Sequence, residues 1–150
     1  SIPELTKRFS SEYIIQLKES IDNAVQENPT EAIGKAKELI ESCCKTILDN
    51  LGVDYKRNAD LSQLIDITIE KLKLKPQNIS ETAKEAASIK SLLGNLRAIA
   101  TSMATLRNAY GSGHGKSASY KGLTSRHAKL AVGSSITLVN FLWETFEDQT

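Results

Sequence analysis

Arg107, Asn108 and His114 are the residues of this chain whose types and spacing suit joint chemistry. Six residues separate the arginine from the histidine, and Gly111, Gly113 and Gly115 alternate with Ser112 and His114 along the way. A guanidinium keeps its charge and forks onto phosphate oxygens. An imidazole, with an unperturbed pKa of about 6.5, gives or takes a proton near neutral pH. Glycine N–H groups in a turn can hold an anion as well. Metal-free cleavage of an RNA strand needs a proton taken from a 2′-hydroxyl and a proton given to the leaving 5′-oxygen. It also needs positive charge beside the crowded phosphorus. Arg107 and His114 on a glycine-rich turn supply parts for that reaction. The plain alternative is an ordinary helix end: Gly111 stands where a helix would stop, and the helix dipole favours a cation in the last turn.

The elements that must position this turn are read from apolar spacing. A first helix runs from Ser10 or Ser11 to about Asn28, with Tyr13, Ile14, Leu17, Ile21, Ala24 and Val25 on one face. Asn28-Pro29-Thr30-Glu31 is a start signal with a capping box. A second helix follows, with Ala32, Ile33, Ala36, Leu39, Ile40, Cys43, Ile47, Leu48 and Leu51, and Gly52 ends it. Asp60 and Gln63 repeat the capping pattern before a third, shorter helix to Leu72, although its run from Ile65 to Ile69 also suits a strand. Asn78 or Ser80 opens a fourth, which is expected to continue to about Tyr110, with Gly94 and the small residues at 100–105 as possible kinks. Thr124 or Ser125 caps a fifth helix that is apolar on most sides, and so buried or shared with a partner. The expected fold class is all-α: an antiparallel bundle of about five helices.

Composition fits that bundle. The chain has 150 residues, which suits one globular domain, and only 5% aromatics, so aliphatic side chains must build the core. No apolar run reaches the roughly 20 residues that cross a bilayer, so no membrane partner is expected. No signal-peptide pattern opens at Ser1, and the lack of an initiator Met points to processing or an excised domain. Cys43 and Cys44 are adjacent on a helix and point apart, which makes a disulfide unlike them and a reduced, cytoplasmic setting the plain reading.

Charge is divided unevenly. Residues 1–85 carry 12 Lys/Arg and 15 Asp/Glu, whereas residues 86–143 carry seven Lys/Arg and no carboxylate. The glycine-rich turn lies inside this acid-free stretch, whose field would draw polyanions. The alternative is a solubilising face whose acids come from the other half of the fold. Lys116, Lys121, Arg126 and His127 read as contacts to a phosphate backbone, or as solvated loop and helix-start residues. Tyr110 and Tyr120 flank the turn, where they either stack on bases or cover the core edge. Trp143 reads as core or interface. No metal ligand set and no phosphate loop is apparent, so no cofactor is expected.

Three segments together carry a family resemblance: Leu106-Arg107-Asn108, Gly111 to Lys116, and Arg126 to Val132. They closely resemble the C-terminal domain of bacterial abortive-infection proteins, within the HEPN superfamily of helical RNases. Its signature is an Arg, usually followed by a polar residue, then a His. Glu41-Ser42-Cys43-Cys44-Lys45 is similar to a further HEPN pattern. The resemblance covers about residues 29–146, which sets residues 1–28 apart as a lead-in and first helix before a HEPN-like domain over 29–150. It implies a metal-independent endoribonuclease of a phage-defence or toxin system, working as a homodimer whose Arg and His residues share one cleft. Arg107 would then stabilise the phosphate, Asn108 position the pair, and His114 transfer protons, with Glu41 and Lys45 in support. It also implies RNA, and an antitoxin or larger defence protein, as partners. The competing expectation is a non-catalytic HEPN-like module that dimerises or binds RNA or a nucleotide.

Overall fold

A computed structural model describes residues 11–74, 80, 86–110 and 125–149; at 11–15, 18, 89, 97, 104 and 107–110 it describes the backbone alone. The described residues form helices and no strand. They are α1 (Ser11–Glu27), α2 (Pro29–Asn50), α3 (Leu61–Lys71), α4 (Ala86–Gly94), α5 (Leu96–Tyr110) and α6 (Ser125–Asp148). The fold is all-α.

Helix α2 is the axis of the bundle. It packs on α6, α1, α5 and α3, while α5 also meets α3, α4 and α6. Its buried side chains, Ala32, Ile33, Ala36, Leu39, Ile40, Cys43, Cys44, Ile47 and Leu48, recur at helical spacing and are wide enough to serve several neighbours. Helix α6 answers with Ala128, Val132, Ile136, Val139, Leu142, Trp143 and Phe146. Trp143 is in the core at 1% exposure, its ring 5.2 Å from that of Phe146. Each fully buried Leu or Ile stabilises the fold by about 1.5–3 kcal/mol, so an aliphatic core suffices here.

The helix ends explain why these segments start and stop where they do. Asn28 alone joins α1 to α2. Its side-chain oxygen accepts from Glu31 N–H at 3.1 Å, as a cap should. The return arm of the expected capping box is different. The Asn28 N–H donates to the Ala24 carbonyl at 2.8 Å, because α1 ends on the same residue, and Glu31 meets the Asn28 side-chain nitrogen instead at 3.5 Å. At the far end Gly52 adopts φ +68°. Gly52 N–H bonds to Asp49 O at 3.2 Å and Val53 N–H to Leu48 O at 2.9 Å, which satisfies the last carbonyls of α2.

Helix α3 has the full capping box: Gln63 N–H to Asp60 at 2.8 Å and Asp60 N–H to Gln63 at 2.9 Å. The β-branched run within it is helical, since Ile65, Thr68 and Ile69 all turn inward at that spacing and the Thr68 hydroxyl bonds back to Leu64 O at 2.8 Å. Its end repeats the α2 ending with Lys73, at φ 59°, where α2 has glycine. Gln149 Nε2 donates to Leu72 O at 2.9 Å and ties the end of the described chain to this turn.

One expected helix is two. The segment read as continuous to Tyr110 breaks at Asn95, whose N–H reaches back only three residues, to Leu92 O at 3.1 Å. Its carbonyl then starts α5 by accepting from Ile99 N–H at 3.1 Å. Gly94 has low helix propensity and Asn competes for backbone bonds, so the pair is a weak point in an otherwise apolar helix. Of the two expected caps, Ser80 is exposed and non-helical, as a cap residue is, while residue 78 and residues 81–85, which would connect Ser80 to α4, lie outside the described residues.

Candidate functional site

Helix α5 buries Ala100 and Met103 and ends at Tyr110. The backbone of Arg107 and Asn108 is therefore in its closing turn, as the sequence predicts. The side chains of Arg107, Asn108 and Tyr110, and the whole of His114, Lys116, Tyr120 and Lys121, lie outside the described residues. Helix α6 opens at Ser125 with no acidic residue in its first turn, and Arg126, His127 and Lys129 are exposed there. Position 124, the other candidate cap, is also outside the described residues.

The sequence reading missed the groove that links these two ends. A cavity of about 550 Å³ lies between α5 and α6. Ile99, Ser102, Met103 and Leu106 form one wall, and His127, Leu130 and Ser134 the other. Both sets recur every three or four residues, so each is a single stripe of its helix. Among the described residues, none that lines the groove is acidic. Leu130 is 70% exposed and Leu92, on α4, 69%. The visible signal was the apolar surplus of the last helix: some of it is core, and Leu130 is not.

Glu41 and Lys45 sit on α2, half-buried. Glu41 pairs with Lys37, one turn earlier, at 2.9 Å, and not with Lys45. Both partners keep partial solvent access, so the pair is worth a few tenths of a kcal/mol. Cys43 and Cys44 are free and fully buried. Cys43 makes a weak sulfur contact to Val139 O at 3.9 Å. Burial pushes the Cys44 thiol up to about 11, with the Glu41 charge adding to this and a bond to Thr68 opposing it. Burial, then Cys44, raises the Cys43 thiol well above its ordinary value. Neither thiol is a nucleophile at neutral pH. Among the described residues no three His, Cys, Asp or Glu side chains cluster as a metal site. Among them, too, no helix is long and apolar enough to cross a membrane.

Comparison with known proteins agrees with the helical architecture. Residues 11–146 match the Abi_C family, a HEPN-like domain. The match begins earlier than the motif resemblance and so takes in α1, which packs on α2 and α6 as part of the same bundle. No curated protein matches the chain, and no solved structure does. With nearly its whole length matched and an all-α fold to go with it, the chain belongs to the Abi_C family of HEPN-like domains, a family of abortive-infection C-terminal domains.

Proposed function

We propose that this chain is a metal-independent endoribonuclease of a phage-defence or toxin system, acting as a homodimer with its catalytic residues at a shared cleft. The observation that supports this most is the convergence of α5 and α6 on one acid-free groove. Arg107 stands one residue beyond the wall residue Leu106, and Arg126 one residue before the wall residue His127. The segment between them carries His114. In this reading His114 takes the proton of a 2′-hydroxyl, the oxygen attacks the adjacent phosphorus, and a proton is returned to the leaving 5′-oxygen. Two copies of His114 divide the base and acid roles across the dimer. Arg107 neutralises the charge on the phosphorus oxygens, and Asn108 holds the pair in register. Lys116, Lys121, Arg126 and His127 hold the strand by its phosphates, and Tyr110 stacks on a base. Glu41 and Lys45 brace α2 behind the site.

The test is the identity of the nucleophile. The protein is incubated with a single-stranded RNA and with the same strand carrying one 2′-deoxynucleotide. Cleavage everywhere except 3′ of the deoxy position, with cyclic phosphate ends, is expected. Cutting at the deoxy position would refute the mechanism.

A further inference from the structure

The groove between α5 and α6 has a makeup that phosphate chemistry does not require. Ile99, Met103 and Leu106 give it an apolar lining, and Asn95, Ser102 and Ser134 are polar residues of the same lining. An apolar slot with a few amides and hydroxyls is how proteins hold a flat, partly polar ring. Met103 adds a polarisable thioether, which packs well against aromatic faces. The volume of about 550 Å³ is within the range of small-ligand sites. The surroundings select the charge of the occupant. No described lining residue is acidic, residues 86–143 contain no carboxylate, and exposed Arg126 stands four residues before Leu130, next to it along α6. A ring that carries negative charge on its backbone fits both features.

We propose that this groove is a nucleobase subsite, which takes one unpaired base of a single-stranded RNA while Arg126 holds the neighbouring phosphate. The subsite rests on reading the chain as an RNA-handling protein. It adds that the strand is gripped by a base as well as by its charge. The other occupant that an apolar groove admits is a second copy of the chain, and the experiment separates the two.

The probes are two fluorescent RNA strands of equal length and charge, one ordinary and one with abasic sugars throughout. Binding is measured by anisotropy with the protein carrying His114→Ala and Tyr110→Ala, so that neither cleavage nor stacking on Tyr110 interferes. The ordinary strand is expected to bind about 5- to 150-fold tighter, the fold-change that stacking of a single base brings. Ser102→Phe fills the groove from an exposed position, so the core is not disturbed. It should abolish that preference, leave abasic affinity within about twofold, and leave the mass in solution unchanged. Leu130→Ser, at a position 70% exposed, should weaken the preference in the same direction. Equal binding of the two strands, or a preference that survives Ser102→Phe, overturns the subsite. So does a halved mass on Ser102→Phe, which assigns the groove to a second copy. Base preference without strand cleavage by the unmutated protein would defeat the nuclease reading and leave the subsite standing, and cleavage without base preference would do the reverse.

Discussion

Leu106 and His127 line the same groove from opposite walls, although the chain makes a 20-residue excursion between them. Arg107 and Arg126, the two arginines that bound the excursion, are thereby set at neighbouring ends of α5 and α6. The described chain leaves this place at Tyr110 and returns to it at Ser125, and His114 belongs to the residues between. A long-lived site can be built this way because α5 and α6 are both fixed on α2, through buried residues such as Ala100, Met103, Ala128 and Val132.

Arg126 is exposed at the start of α6, where the helix dipole disfavours a cation. On the proposed reading its value is in binding rather than in stability. Arg126→Ala should weaken RNA binding and lower the salt dependence of affinity by about one phosphate contact. The melting temperature should stay the same or rise slightly. Anisotropy titrations across a salt series, beside a thermal melt, check both.

The two thiols give a pH signature. Cys44 titrates at about 11 in the folded protein, against 9.0 for an ordinary cysteine, so the folded state holds its proton more tightly than the unfolded state does. The corresponding stability is complete below about pH 9 and is lost as pH rises through about 11. It amounts to roughly 2–3 kcal/mol. Denaturant midpoints at pH 8 and pH 10.5 should differ less in Cys44→Ala than in the unmutated chain. At pH 8 a thiol reagent should label neither cysteine without denaturant.

Three backbone positions carry predictions of sign. Gly52, at φ +68°, should lose about 1 kcal/mol on change to Ala, since a Cβ is strained there even though nothing stands within 4 Å of it. Lys73 occupies the matching position of α3 at φ 59°, so Lys73→Gly should be neutral or stabilising by about 1 kcal/mol. Gly133 is inside α6 with open space where its Cβ would stand, and Gly133→Ala should stabilise by up to about 1 kcal/mol. Urea denaturation of the three variants reads all of these.

The features legible in the sequence are those whose causes are local. Asn28-Pro29, the Asp60–Gln63 box and Gly52 each act within a few residues, and the helices begin and end on them. The details that escaped depend on what lies beside a segment. Glu31 loses the Asn28 N–H because that group closes α1 on Ala24 O, and apolar spacing, which ends the first helix only to within a residue or two, does not settle which helix takes it. The kink expected at Gly94 is a full break at Asn95, and the strong apolar pattern on both sides made the two helices read as one. Glu41 has equally good partners four residues before and after, and only the coordinates select Lys37. The groove needed the pairing of two stripes that are far apart in the chain, so Leu130 read as one more core residue. Arg107 and His114 stand apart from these: their types and spacing, with glycines between, suggest chemistry, and their side chains lie outside the described residues.

In the proposed reading Arg107 and His114 cut RNA together without a metal ion. The most direct measurement of this is the cleavage rate of a single-stranded RNA in excess EDTA by the unmutated chain, Arg107→Ala, His114→Ala and the double variant. Cleavage by the unmutated chain should persist in EDTA. Loss of His114 should slow it about 10²- to 10⁴-fold, and the double variant should be scarcely slower than the single ones, as expected for residues that act as a unit. Cleavage abolished by EDTA, or undiminished in His114→Ala, would contradict the account.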